Sequence, residues 1–213
     1  MLPLWIAAAV VVELFTSQGC SSCPPADALI SQIEQTRRDV IPLAFHVDYW
    51  DNAFWHDPFS SHQWTIRQMM YVHAFGLNGA YTPQAIVAGS KQFVGSNAAA
   101  MNAAIRDAKS FGSVSVEAKR EANSIAATIK ADAPPDTDIV LAVFENGVAT
   151  QIKGGENMGR RATDDAVVRR IMRVRNGAVT IPVDPSWKNL GVAVFLQNEK
   201  TLAIGAADSV RLK

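Results

Sequence analysis

The 213-residue chain has only two cysteines, Cys20 and Cys23, which excludes a disulfide-rich scaffold and a four-thiolate zinc site. It has no excess of charge of either sign: twenty Lys and Arg balance twenty Asp and Glu, for a formal net charge of +0. Without a global field, neither nucleic acid nor an anionic membrane is expected as a partner. The apolar run Leu2 to Val12 is eleven residues long, short of the about 20 needed for a stable membrane span. It also lacks the basic start of a complete secretory signal. Internal repeats and low-complexity linkers are absent.

What is present is a chain that is 48% apolar and 19% charged, enough to bury a substantial core. Leu2 to Ala9 reads as the remnant of a hydrophobic signal segment, with Ala7-Ala8-Ala9 as a small-residue cleavage site and strand from Val10 onward. That reading makes the mature protein periplasmic or secreted. The other reading of the run is a buried first strand.

From Val10 to about Gly112 the apolar pattern alternates between strand and helix periods. Strands are expected at Val10 to Phe15 and Val40 to Val47, and helices at Ala26 to Gln35 and Ser60 to Phe75. A hairpin follows over Gln84 to Ala88 and Gln92 to Gly95, with Gly89-Ser90 suited to a type II′ turn. Asn97 caps a last helix that runs to Ala108. After Gly112 the period becomes two. Val114 to Ala118, Ile125 to Ile129, Ile139 to Phe144, Val148 to Lys153, Val179 to Val183, Val192 to Leu196 and Leu202 to Ala206 read as strands. Asn146-Gly147 signals a hairpin between two of them. Val167 to Val174 also fits a helix and is read as strand. The expected architecture is an α/β domain over residues 1–112, followed by a β-rich, sandwich-like domain over 113–213.

Cys20 and Cys23 form a C-x-x-C between a strand and a helix, the setting of a thiol–disulfide motif. Two intervening residues bring both sulfurs to one end of the helix. The helix dipole and free N–H groups there favour a thiolate at Cys20, the expected nucleophile, with Cys23 as resolver. Ser21 and Ser22 bring hydroxyls but no charge, and Pro24 and Pro25 remove donors from the first turn. Thr82-Pro83 directly precedes the third strand. In thioredoxin-like folds a proline at that place is cis and forms the substrate platform, which is the role expected of Pro83, with Thr82 lining the site. Catalysis by such a dithiol needs no cofactor.

The block Val11 to Asp27, which contains Cys20-Ser21-Ser22-Cys23-Pro24-Pro25-Ala26-Asp27, resembles the signature of an uncharacterised, exported bacterial thioredoxin-like family catalogued as a domain of unknown function. Phe45 to Asp51, Asp57-Pro58-Phe59, Arg67-Gln68, Tyr81 to Gln84, Gly155-Glu156-Asn157 and Val167-Val168-Arg169 are similar to its later blocks. The resemblance implies a thioredoxin-like domain with a β-rich extension outside the cytoplasm, and it supplies no substrate.

His46 and Asp48 end the second strand, at the sheet edge expected to carry the cysteines, as candidate proton carriers. His46 with Cys20 and Cys23 is the alternative set for copper or zinc. The plainer reading of His46 is a satisfied structural side chain. Trp50, Phe54, Trp55, Phe59 and Trp64 read as a small core pinning a long loop. His56, His62 and His73 read as surface residues. Lys153 to Arg175 carries seven basic against three acidic residues, read as a solvated face or an edge guard. Gly154 to Gly159 has P-loop glycine spacing, but Arg160-Arg161 stands where Lys-Ser/Thr belongs, so no phosphate site follows.

Thiol–disulfide exchange with a protein or a small thiol is therefore the expected function. Metal binding and a redox-inert interaction module are the alternatives. The sequence leaves oligomeric state open.

Overall fold

The structure, a computed structural model, describes residues 9–212, so the signal-remnant reading of Leu2 to Ala9 lies, but for Ala9, outside the described residues. The first seven elements appear in the expected order: β1 (Val10–Thr16), α1 (Pro24–Thr36), β2 (Val40–His46), α2 (His62–Ala74), β3 (Gln84–Val87), β4 (Lys91–Val94) and α3 (Ala98–Asp107). A single 3-10 turn, Asp48–Trp50, follows β2. The helices start where polar side chains take up unpaired N–H groups: Ser61 Oγ accepts from Gln63 N and Asn97 Oδ1 from Ala100 N. α1 instead begins with prolines at its first two positions, where no helical N–H is required. Its Ala26, Ile30 and Ile33 are buried at helical spacing.

Nine further strands were not all expected to pair as they do. They begin with β5 (Ser113–Arg120), β6 (Ser124–Asp132), β7 (Thr137–Glu145) and β8 (Val148–Gln151). Then come β9 (Arg161–Asp164), β10 (Val167–Val174), β11 (Gly177–Pro182), β12 (Leu190–Asn198) and β13 (Ile204–Arg211). Val167–Val174 is strand, and β9 is an element that the alternation did not reveal.

The expected α/β domain followed by a separate sandwich is not what forms. A single mixed sheet of eight strands, ordered β13-β12-β7-β10-β2-β1-β3-β4, takes strands from both halves of the chain, and the protein is mostly β. The thioredoxin-like description therefore does not fit the architecture. The physical reason lies at β2 and in two later strands. β2 is buried along its whole length, and β10 reaches its outer edge, where Ala44 N–H donates to Ala166 O at 2.8 Å and Val167 pairs with Ala44. β7 and β12 are apolar on both faces and need cover on both. Val140, Ala142, Phe144, Ala193 and Phe195 join the core built by β1, β2 and the helices. Leu141, Val143, Val192 and Val194 pack against Val116, Ile125, Ala127 and Ile129 of a three-stranded sheet ordered β11-β6-β5.

The Asn146-Gly147 hairpin is also corrected. Gly147 turns the chain with φ +68°, but β8 pairs with β9 in a two-stranded ribbon. Both edges of β7 are already taken, by β10 and β12. Asn146 is held elsewhere: its Nδ2 donates to Glu34 Oε1 and its Oδ1 accepts from Ala166 N.

The β3–β4 turn differs from expectation too. Ala88 (φ +48°) and Gly89 (φ +59°) are both left-handed and Ser90 N–H returns to Val87 O, the geometry of a type I′ turn. The lead-in to β13 lies against this turn. Ile204 N–H donates to Ala88 O at 2.8 Å, and a Cβ on Gly89 would sit 1.9 Å from Leu202 O. The far end of the sheet thus comes back onto its other end. Among the described residues no helix is long and apolar enough to cross a membrane.

Candidate functional site

β1 is buried from Val11 to Thr16, so the chain leaves it at a fixed point and turns into α1 over Ser17 to Cys23. Cys20 and Cys23 are disulfide-bonded there and both are fully buried. Cys23 is the N-cap residue of α1. Ser21 and Ser22 are exposed, and Ser22 Oγ lies 3.3 Å from Cys20 Sγ and 3.4 Å from Thr82 O. Trp50 Nε1 donates to Thr82 Oγ1 at 2.8 Å, so the segment before β3 lies beside the cysteine loop. The Thr82–Pro83 peptide is cis.

The helix terminus offers less than expected. Pro24 and Pro25 have no N–H, and the next two, Ala26 and Asp27, both donate to Cys23 O. No first-turn donor is left for a thiolate, so the helix dipole and the Ser22 hydroxyl remain.

The loop between β8 and β9 grips the cysteine loop from above. Asn157 Nδ2 donates to Gln18 O at 3.0 Å and to Cys20 O at 2.8 Å. Glu156 Oε2 accepts the Ser21 N–H at 2.9 Å, which holds its carboxyl below the usual range. Two glycines shape this loop: Gly155 adopts φ +73°, and a Cβ on Gly154 would meet Phe54 O at 2.1 Å.

Beneath the loop lies a buried polar network. His46, at the end of β2, meets Asp57 through Nδ1 at 2.8 Å. Burial alone would pull the imidazole down, but the Asp57 charge and hydrogen bond, with Asp164 and Asp27 nearby, push it up to about 9. Burial likewise raises Asp57, yet His46⁺ and the N–H groups of Gln18 and Phe59 hold it below the usual carboxylate range. Asp164 at the end of β9 accepts from Gln18 Nε2 at 2.7 Å and is raised, chiefly by burial. Asp27, one helical turn beyond Cys23, accepts from Thr16 Oγ1 at 2.6 Å. Desolvation of its carboxyl, then the charge of Asp164, push it up to about 7.

The model of a family described as "Protein of unknown function (DUF1223)" matches residues 11–197. The chain belongs to that family. The X-ray crystal structure of a protein from Agrobacterium tumefaciens is 31% identical, with a TM-score of 0.71, and the match covers 97% of this chain and 94% of that one. No curated protein matches. The DUF1223 match spans β1 through β12, so it includes the cysteine loop, the network beneath it and the β8–β9 clamp.

Of the site residues expected in this DUF1223 chain, Cys20, Cys23, Ser22 and Thr82 are brought together, and Ser21 is tied to Glu156. Asp48 is occupied elsewhere, accepting from Thr65 Oγ1 at 2.5 Å and meeting His62 Nδ1 at 3.0 Å. His46 lies in the network, where its Nδ1 is taken by Asp57 at 2.8 Å. Among the described residues no three His, Cys, Asp or Glu side chains converge on a metal position. Phe59 and Trp64 are buried as loop anchors, whereas Phe54 is 85% exposed.

Asp27, Asp57, Asp164, Glu156 and Asn157 were not expected at the site. Four of them stand in the signature blocks, and the available signal was a charge or amide in each block with no other task. Asp164 carried no signal.

Proposed function

We propose that the protein performs thiol–disulfide exchange through Cys20 and Cys23, in a periplasmic or secreted setting where such a bond persists. The observation that carries this reading is the Cys20–Cys23 bond at the head of α1, with the Ser22 hydroxyl 3.3 Å from Cys20 Sγ. A partner thiolate attacks Cys20 Sγ, the Cys20–Cys23 bond breaks, and Cys23 leaves as a thiolate that takes up a proton. A second partner thiol then attacks the mixed disulfide. This releases the oxidised partner and leaves Cys20 reduced, so two thiols give two electrons and two protons to the protein.

Asp27, half-protonated near neutrality and one turn from Cys23, is the proton source for the departing thiolate. Thr82 and Pro83 line the face on which the partner rests. Both sulfurs are fully buried, so attack follows a loosening of the cysteine loop from its clamp.

The test is equilibration of the folded protein across thiol–disulfide buffers, with alkylation and intact mass as readout. A reversible two-electron transition is expected. Cys23→Ser should trap a mixed disulfide at Cys20, and Cys20→Ser should trap none. A pair that never cycles while the protein stays folded ends the proposal.

A further inference from the structure

Between the first turns of α1 and the β8–β9 ribbon lies a cleft of about 220 Å³. Its floor holds two carboxyl groups, those of Asp27 and Asp164. Two side-chain amides also line it, Gln18 and Asn157, and both residues are at least 96% buried. The Asn157 nitrogen gives both its hydrogens to the carbonyls of Gln18 and Cys20, and the Gln18 nitrogen gives one to Asp164 Oδ2. Their oxygens, Gln18 Oε1 and Asn157 Oδ1, have no hydrogen-bond partner among the described residues. Buried acceptors without donors are costly, and two of them lining one cleft are where a ligand's donors would be used. Acceptors thus dominate this part of the cleft. At the mouth stand Arg160 and Arg161, both exposed, which offer cationic forks.

We propose that this cleft binds a small zwitterion, a free α-amino acid or dipeptide, with its ammonium on Gln18, Asn157, Asp27 and Asp164 and its carboxylate on Arg160 and Arg161. An ammonium has three donors and a positive charge, which suits two orphan amide oxygens beside two desolvated carboxyls. The volume is below the about 300 Å³ at which sites for drug-sized ligands begin, so the ligand is small. The carboxyls of Asp27 and Asp164 are raised, chiefly by burial, even with His46 nearby, so a further cation between them would be favoured. The site stands whether or not the cysteines cycle.

The test is calorimetric titration of the oxidised protein with L-alanine and with Ala-Ala, with ethylamine, acetate and calcium chloride as comparison probes. Saturable binding of a zwitterion is expected, with ethylamine and acetate each at least about tenfold weaker. The double variant Arg160→Ala/Arg161→Ala, which changes only exposed side chains, should weaken alanine by about tenfold and leave ethylamine unchanged. Asp164→Asn should weaken both. Absence of saturable zwitterion binding to folded protein overturns the proposal. So does equal binding of ethylamine and alanine, or saturation by calcium in place of either. Because the disulfide stays closed throughout, failure here leaves the exchange reading intact, and failure to cycle leaves this one intact.

Discussion

Asn157 Nδ2 donates to the carbonyl oxygen of Cys20 at 2.8 Å, across 137 positions of sequence. The same amide nitrogen holds Gln18 O at 3.0 Å, so one side chain fixes both ends of the approach to the disulfide. Asn157→Ala leaves two carbonyls without that donor, and each buried orphan costs about 1–3 kcal/mol. The variant should unfold at lower urea and its disulfide should be reduced faster by dithiothreitol. Unchanged values of both would mean that the β8–β9 loop only rests on the cysteine loop.

Asp27 sets a pH dependence of known sign. Its carboxyl is raised from 3.8 to about 7, so between those values the folded protein keeps a proton that the unfolded chain has released. Its contribution to stability is full below about pH 4 and declines as pH rises through about 7. Asp27→Asn cannot ionise and keeps the acceptor for Thr16 Oγ1. Urea midpoints of the two proteins should coincide near pH 4, and the variant should be the more stable at pH 8. Equal midpoints at both pH values would place Asp27 in a solvated, unshifted environment. Comparing the two proteins cancels the opposite trend from Asp57, whose lowered carboxyl gives stability that is lost as pH falls.

Gly89 tests the return of the sheet on itself. A Cβ there would meet Leu202 O at 1.9 Å, and the residue is held at φ +59°. Gly89→Ala should cost about 1–3 kcal/mol, from backbone strain and displacement of the β13 lead-in. Urea denaturation reads the loss, and amide exchange at Ile204, whose N–H pairs with Ala88 O, should rise with it. A neutral substitution would mean that the two ends of the sheet touch without depending on each other.

Burial patterns written along one element were readable from sequence, and pairings set by distant elements were not. β1, β2, α1 and the caps at Ser61 and Asn97 follow from local periodicity and capping chemistry. Nothing local could say that β10 would meet β2, because that junction rests on the one pair Val167 and Ala44. The uninterrupted burial of Val40–His46 required cover on every side without naming what supplied it. Asn146-Gly147 signalled a turn and delivered one, but the partner of β8 depended on vacancies along β7. The cysteine pair was legible because spacing and flanking elements carry its chemistry. Its surroundings were partly so: His46 was an isolated polar group in an apolar strand, which demands a buried partner, and that partner proved to be Asp57.

The clamp on the cysteine loop also has an order in time. The ribosome makes Cys20 some 137 residues before Asn157, which at about 5–20 residues per second is an interval on the order of ten seconds. Throughout it the nascent chain holds the cysteine loop without the amide that later ties it down. The oxidation state of the pair is therefore open to surrounding thiols during synthesis, and the last third of the polypeptide closes over whatever state it finds.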